Sequence, residues 1–223
     1  MADIQAASWL LSLAKEAPSE AKLIGIDILD RSLPKTYPPN VEFQIVSVLD
    51  LPKEWDGSFD FVHQRLLSPA LSVDEWETAI GELFRVLKPG KDLQLMEVGL
   101  LENEGEGPEY ARANSLLRKT YDSRGLMIDC PVQIPCWLEQ AGFTEITQRR
   151  VTIRFGRDTG PLGTLGRSVM ERTLRTMGGA IQQSNLIDST KSWNEVMDKV
   201  VKEWEGEDNV SVAVYLFCAR KPE

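Results

Sequence analysis

The segment Leu23–Ile28 constrains the fold of this chain more than any other stretch. Three of its six residues are isoleucine, which is typical of a strand buried on both faces. The segments Val41–Val48 and Ser58–His63 predict two further strands, and Asp74–Leu87 carries apolar residues at helical spacing. Strands that alternate with helices in this way indicate an α/β fold, in which helices cover both faces of a largely parallel sheet.

The second half of the chain predicts a different ending for the sheet. Phe143–Arg154 and Val210–Ala219 have the composition of strands and are separated by helices, so we expect them to form an antiparallel pair. A polar, glycine-rich loop is expected at Gly156–Gly166. The other predicted elements are helices at Ala6–Glu16, Tyr110–Arg124, Val132–Ala141, Arg167–Met177 and Ser192–Trp204, a strand at Leu93–Val98 and an acidic loop at Glu102–Gly107.

The length of the chain fits a single domain. It has 223 residues, no internal repeat and no long linker, so residues 1–223 are expected to share one fold. Within this domain, residues 156–205 form a helical insert before the last strand. Because inserts of this kind can close over a ligand, the segment is a candidate substrate lid.

Charge and composition argue against several classes of partner. The formal net charge of −9 repels phosphate groups, so nucleic acid and anionic membranes are poor partners. No apolar run is long enough to span a bilayer, and the first residues lack the basic stretch of a signal peptide. Three cysteines at unrelated spacings and a single histidine do not favour a metal site. We therefore expect a cytoplasmic protein with no bound metal.

Four segments occur in an order and at a spacing that resemble a known family. They read IGIDILDRSLP, VEFQIVSVLDLP, SFDFVHQRLL and ELFRVLKPGKDLQLMEV. The chain resembles the class I S-adenosylmethionine-dependent methyltransferases, and more narrowly the fungal methyltransferase-like proteins of secondary metabolism. The resemblance covers about the first two-thirds of the chain and a terminal strand, VSVAVYLFCARK. It implies a doubly wound, mostly parallel sheet of the Rossmann-like methyltransferase type, with its ligand crevice at the carboxyl ends of the strands.

The resemblance also implies positions for cofactor-binding acids. In such a family the acid that ends the second strand holds the ribose hydroxyls, and the acid after the third strand reaches the adenine amine. Asp27 and Asp50 match these two positions. A carboxylate suits the first position because it accepts hydrogen bonds from two hydroxyls. The alternatives are a loop-capping role for Asp27 and a helix or turn cap for Asp50.

The first strand and its glycine-rich turn depart from the family pattern. No glycine precedes Gly25, and side chains including that of Trp9 stand where the glycines would approach the cofactor. We therefore expect the first strand to be missing or truncated. Its loss leaves the strands at Leu23–Ile28 and Ser58–His63 without a shared partner. They could pair directly, a second copy in a homodimer could supply a strand, residues Asp3-Ile4 could be a stub lying between them, or the sequence could lack its true start.

The candidate catalytic residues follow the third strand of the chain. His63 is the only histidine, and Gln64 and Arg65 come directly after it at the carboxyl end of the strand. These side chains can donate hydrogen bonds, and a neutral imidazole can also act as a base. His63 satisfying a loop carbonyl and Arg65 in a structural ion pair are the alternatives. Candidate substrate-binding residues are Trp9, Glu97, Tyr121, Met127, Trp137 and Met170. The favoured alternative is a solvated or capping acid for Glu97, and an ordinary place in the core or on a helix face for each of the other five.

Three functional hypotheses follow. The favoured one is an enzyme of natural-product metabolism that has lost S-adenosylmethionine binding. It would need no cofactor and would catalyse a cyclisation, a pericyclic step or an isomerisation on a small apolar intermediate. The first alternative is an active S-adenosylmethionine-dependent methyltransferase of small molecules, and the second is a non-catalytic protein that binds a protein partner.

Overall fold

The strands form two separate sheets in the computed structural model, which describes residues 5–29, 33–68, 70–99, 107–155, 157, 159–206 and 210–223. In the first sheet, β1 (Leu23–Asp27) pairs in parallel with β2 (Val41–Ile45). The second sheet has the order β3-β4-β6-β5. Its strands are β3 (Phe59–Arg65), β4 (Leu87–Gly99), β5 (Thr144–Arg154) and β6 (Ser211–Arg220). Strands β3 and β4 are parallel, whereas β6 is antiparallel to both β4 and β5, which confirms the antiparallel ending.

Helices account for most of the remaining described residues, and the fold is of the predicted α/β class. The helices are α1 (Gln5–Glu16), α2 (Val73–Val86), α3 (Pro108–Asp122), α4 (Ile134–Gln140), α5 (Gly160–Thr176), α6 (Gly178–Gln183) and α7 (Thr190–Gly206), with short 3-10 turns at Lys53–Trp55 and Cys130–Val132. The stub expected at Asp3-Ile4 and the acidic loop expected at Glu102–Gly107, apart from Gly107 itself, lie outside the described residues.

The loop predicted at Gly156–Gly166 is wrong over its second half, because α5 already begins at Gly160. The sequence predicted a loop here because glycine has a low intrinsic helix propensity. Two of the glycines instead allow close packing on β5. A Cβ built on Gly163 would lie 2.9 Å from the carbonyl oxygen of Arg154, and one on Gly166 would lie 3.2 Å from Ile153. Tertiary packing therefore favours the helix over the loop.

Two apolar clusters form the core. The first lies between the second sheet and helices α2 and α4, and it contains Trp76, Ile80 and Leu95. The second contains residues of α3, α5, α6 and α7, among them Trp193 and Trp204. The helical insert between β5 and β6 therefore packs against α3 around a cluster of its own, and its role as a lid stays a prediction.

Helix α2 has a defined beginning and end. Ser72 and Glu75 form a capping box, in which each side chain accepts the other residue's backbone N–H. At the other end, the Lys221 ammonium donates hydrogen bonds of 2.8 Å to the carbonyls of Phe84 and Leu87. Strand β4 starts at Leu87, six residues earlier than the predicted Leu93, so helix and strand follow each other without a loop.

No backbone ladder joins the two sheets among the described residues, so the direct pairing considered for the strands at 23–28 and 58–63 is not found. Helix α1 contacts both sheets instead. Its Leu10 packs over Gly25 of β1. On the other side, the Trp9 ring stacks on His63 of β3, with ring centroids 3.9 Å apart. Side-chain packing by α1 therefore bridges the break between the sheets.

The packing of α1 on β1 can be tested at Gly25. A Cβ there would lie 2.6 Å from the ring of Phe43 and 2.9 Å from Leu10 Cδ2. We expect Gly25→Ala to lower the free energy of unfolding by about 1–3 kcal/mol, because the extra methyl overpacks the contact. Gly81 is the control, since a Cβ on this helical glycine meets nothing within 4 Å. Gly81→Ala should raise stability by about 1 kcal/mol. Urea denaturation measures both, and destabilisation by the two variants alike would contradict the close contact.

Candidate active site at the carboxyl ends of the strands

His63 lies near the carboxyl end of β3 and faces α1. Its ring is stacked on Trp9 with an interplanar angle of 21°. Among the described residues, neither ring nitrogen has a partner at hydrogen-bonding geometry, although Gln94 stands beside it on β4. Burial, followed by the charge of Arg65, lowers the pKa of His63 below its usual 6.5. The imidazole is therefore neutral at pH 7 and can accept a proton or a hydrogen bond.

Of the two residues that follow His63, one shares its surroundings. Arg65 Nη2 donates to Ser8 Oγ of α1 at 3.4 Å, so Arg65 lies on the same side of β3 as the Trp9–His63 stack. Gln64 points to the opposite face, because successive strand residues alternate. It is only 8% exposed, and its amide has no hydrogen-bond partner within the described residues. The structure thus brings His63 and Arg65 together and separates Gln64 from them.

Glu97 lies near the carboxyl end of β4 and is fully buried. Its Oε1 accepts the backbone N–H of Leu67 at 2.9 Å, and its Oε2 accepts that of Ser68 at 3.0 Å. The sequence left both a substrate-binding and a capping role open for this acid, and these contacts are those of a cap. Burial raises the pKa of the Glu97 carboxyl to about 7, while the backbone amides of Leu66, Leu67 and Ser68 oppose the shift.

The other predicted substrate-binding residues lie in the apolar clusters rather than at the Trp9–His63 stack. Tyr121 and Met170 are buried in the second cluster. Trp137 is buried in the first cluster, where it stacks on Trp76 at 5.8 Å, and Met127 packs against the same cluster. These four side chains pack in or against the apolar core, and their role as a pocket lining stays a prediction.

Two acids follow the parallel strands of the first sheet. Asp27 ends β1, and its Oδ1 accepts the backbone N–H of Leu29 at 2.8 Å. Asp50 is exposed and lies shortly after β2. Because β1 and β2 are parallel, both acids lie at the same edge of the sheet. The loop-capping role considered for Asp27 is present, and it uses only one of the two carboxylate oxygens.

Sequence reasoning missed the pair that fixes the loop after β2. Glu82 Oε2 accepts the N–H of Leu51 at 2.7 Å, and Arg85 Nη2 donates to the carbonyl of the same residue at 2.8 Å. Arg85 also bonds to Glu82 at 2.6 Å and to Asp56. Its hydrogen bond is the main cause that lowers the pKa of Glu82. Since Leu51 directly follows Asp50, this clamp fixes the backbone beside the candidate adenine-binding acid. The sequence feature that could have indicated this pair is the acid and the base three residues apart in ELFR, since side chains at this spacing are neighbours on a helix.

The carboxylates at this edge fit the nucleoside part of S-adenosylmethionine. Carboxylates such as Asp27 and Asp50 accept hydrogen bonds from ribose hydroxyls and from the adenine amine. A glycine cradle for the methionine part is not among the described residues, where Trp9 of α1 packs against β3 instead. The residues that the structure describes therefore fit one half of the cofactor.

The described part of the chain has neither a cluster of metal ligands nor a membrane-spanning helix. It contains no group of three or more His, Cys, Asp or Glu side chains placed to hold a metal ion. None of its helices has both the length and the apolar character needed to cross a bilayer.

The parallel strand pairs and the two acids that follow β1 and β2 are those of an α/β protein of the methyltransferase type. A sequence model of the methyltransferase domain family matches residues 6–90. The N-methyltransferase sirN of Leptosphaeria maculans is 30% identical over 205 residues, a match that covers 89% of this chain and 71% of sirN. The N-methyltransferase verN of Clonostachys rogersoniana is 28% identical over 222 residues, covering 97% of this chain and 76% of verN. The chain belongs to the class I S-adenosylmethionine-dependent methyltransferase-like family.

Solved structures confirm the fold. The [4+2]-cyclase SpnF superposes with a TM-score of 0.58 at 22% identity, covering 96% of this chain and 70% of SpnF. The phosphoethanolamine N-methyltransferase 2 of Haemonchus contortus, solved with S-adenosylhomocysteine, superposes with a TM-score of 0.54 at 18% identity, covering 94% of this chain and 46% of that protein. At these identities the two proteins show the Rossmann-like methyltransferase fold alone.

The burial of Glu97 predicts a pH dependence of stability. Its folded-state pKa of about 7 lies above the usual 4.5, so its favourable contribution is complete below the unfolded pKa and is lost as the pH rises through about 7. We expect the free energy of unfolding to lose about 3 kcal/mol from this group between about pH 5 and pH 8.

Denaturation of the wild type and of Glu97→Gln across this pH range checks the prediction, because the variant should lack that loss. The control is Glu203→Gln. It also removes a carboxylate that accepts two backbone N–H groups, those of Glu109 and Tyr110, but it leaves Glu97 in place. Equal pH profiles for wild type and Glu97→Gln would contradict a raised pKa at this site.

Proposed function

We propose that the chain is a methyltransferase of fungal natural-product metabolism that transfers a methyl group from S-adenosylmethionine to a nitrogen atom of a small molecule. The observation that carries the proposal is the parallel pair β1–β2, with Asp27 and Asp50 following its two strands at one edge. The names of sirN and verN, both N-methyltransferases, support nitrogen as the acceptor. The comparisons leave the substrate itself open, and we expect a small, largely apolar molecule.

In this proposal, side chains at the first sheet bind the cofactor and side chains at the second sheet orient the acceptor molecule. Asp27 binds the ribose hydroxyls, and Asp50 binds the adenine amine from a loop that Glu82 and Arg85 hold in place. The cofactor, when bound, supplies a methyl group already activated on a sulfonium. Little acid–base assistance is then needed beyond orientation of the acceptor. His63, neutral at pH 7, can accept the proton or hydrogen bond of an acceptor N–H, and Arg65 beside it can orient a carbonyl of the same molecule.

Cofactor binding is the first test of this proposal. Isothermal calorimetry should detect S-adenosylmethionine and S-adenosylhomocysteine with micromolar Kd. We expect Asp27→Asn to weaken both by on the order of tenfold, because the neutral amide binds two hydroxyls less well than a carboxylate. Asp60→Asn is the matched control, since Asp60 starts β3 at the opposite edge and is paired with Lys88. Wild-type protein that binds neither compound would refute the proposal.

A separate observation favours a second candidate function, a reaction that needs no cofactor. The Trp9–His63 stack, at 3.9 Å, occupies the interval between the two sheets. If that arrangement persists in the working protein, the crevice serves a reaction without a cofactor, namely a cyclisation, a pericyclic step or an isomerisation. The protein would then hold the reactive conformer and polarise a carbonyl through His63 or Arg65.

The two functions predict different products. Incubating the protein with a pool of fungal small molecules, with and without S-adenosylmethionine, and analysing the products by mass spectrometry separates them. Methylation adds the mass of one methylene and requires the cofactor, whereas a cofactor-independent isomerisation leaves the mass unchanged and proceeds without it. We expect the methylated product, with Asp27→Asn reducing its rate on the order of tenfold. An isomerised product formed equally by Asp27→Asn would favour the second function.

A further inference from the structure

The turn that follows β3 is held by a single buried carboxylate. Glu97 of β4 accepts the consecutive N–H groups of Leu67 and Ser68, at 2.9 and 3.0 Å, with one oxygen for each. The residue before them, Leu66, donates its N–H to the carbonyl of Met96 at 2.9 Å. Three successive backbone donors of the turn are therefore bound by two neighbouring residues of β4.

The backbone conformation of this turn is energetically unfavourable at one residue. Leu66 has a φ of 58°, in the left-handed region that L-residues other than glycine, asparagine and aspartate seldom adopt. Such a conformation persists only where surrounding contacts impose it. The contacts here are the hydrogen bonds that Glu97 and Met96 accept from the backbone of the turn.

The same turn is tied to a third segment. Ser68 Oγ donates to the carbonyl of Ile128 at 2.9 Å, in the stretch that leads to α4. Cys130 of that stretch is buried, and both burial and the nearby Glu97 charge raise the pKa of its thiol. Glu97 therefore lies where β4, the β3–α2 turn and the segment before α4 meet.

We propose that Glu97 is a positioning residue for the candidate active site. By fixing the turn at Leu67 and Ser68, its carboxylate sets the end of β3 from which His63 and Arg65 project. Arg65 directly precedes Leu66, so a change in the turn is transmitted along the strand to both side chains. The inference deepens the proposed function and rests on it only in taking the end of β3 as part of the site.

The chain offers a closely matched control for Glu97. Glu203 of α7 also binds two consecutive backbone N–H groups, those of Glu109 and Tyr110, each at 2.9 Å. These lie at the start of α3, beside the second cluster. In either variant, Glu97→Gln or Glu203→Gln, the side-chain carbonyl can accept one N–H while the new NH2 group opposes the other. The two variants therefore make the same chemical change at two places.

The readout is the histidine itself. Because His63 is the only histidine in the chain, NMR of labelled protein gives one imidazole signal that requires no ligand. We expect Glu97→Gln to shift this signal and its titration midpoint, and to speed hydrogen exchange at Leu67 and Ser68 on the order of tenfold, as expected for one lost net hydrogen bond. Glu203→Gln should instead speed exchange at Glu109 and Tyr110 and leave the imidazole signal unchanged.

Two outcomes would overturn the proposal. One is an unchanged imidazole signal in Glu97→Gln; the other is the same shift in Glu97→Gln and Glu203→Gln, which would indicate general loosening. If Glu97→Gln does not fold, Ser68→Ala gives a milder change to the same turn and should shift the signal in a folded protein, because it removes the hydroxyl that bonds to the carbonyls of Met127 and Ile128 and leaves Glu97 in place. Calorimetry with S-adenosylhomocysteine tests the proposed function separately. If wild-type protein does not bind this compound, the proposed function fails, but the imidazole and hydrogen-exchange measurements still test the role of Glu97.

Discussion

The break between the two sheets is the constraint on which the rest of the described structure depends. Backbone ladders fix strands rigidly within each sheet, but none crosses from the β1–β2 pair to β3 in the described residues. The two parts are joined by side chains instead. Trp9 and Leu10 of α1 contact β3 and β1, and Glu82 and Arg85 of α2 hold the loop after β2. The candidate site lies at this break, so side-chain contacts determine its geometry.

Glutamates that accept backbone N–H groups recur around the fold. Glu82 holds Leu51, Glu97 holds the β3–α2 turn, and Glu203 holds the start of α3. The three differ in how their charge is compensated. Glu82 is paired with Arg85, and its pKa is lowered. Glu97 is fully buried, and burial raises its pKa to about 7 although the backbone N–H groups that it binds oppose the shift. The same contact therefore makes one loop insensitive to pH near neutrality and the other sensitive.

Sequence periodicity predicted the helices and strands better than it predicted how they pack against one another. The apolar run at Leu23–Ile28 and the amphipathic segment at Asp74–Leu87 carry their structure locally, and both correspond to observed elements. The start of α5 at Gly160 could not be predicted in this way, because it depends on packing against β5. The division of the strands into two sheets and their order β3-β4-β6-β5 were not predicted, because the pairing of strands that are distant along the chain depends on tertiary packing.

The candidate site was predictable only in part for the same reason. The position of Asp27 at a strand end follows from the sequence pattern. The choice between a substrate-binding and a capping Glu97 could not be made, since the amides it binds are about thirty residues away along the chain. The opposite orientations of His63 and Gln64 follow from strand alternation, yet which face meets α1 depends on the tertiary structure.

The favourable and unfavourable contributions to the Trp9–His63 contact are of similar size. An aromatic pair of this kind contributes about 1 kcal/mol beyond its buried area. Against it stands the burial of both His63 nitrogens, which lack well-formed hydrogen bonds and have Gln94 of β4 as a neighbouring polar group, and a buried unsatisfied polar group costs about 1–3 kcal/mol. The closed arrangement therefore gains little. A ligand that offers a donor or acceptor to the imidazole, and a flat surface to Trp9, would compete with the stack on favourable terms, and this holds for the acceptor of a methyl group as well as for a molecule that cyclises without a cofactor.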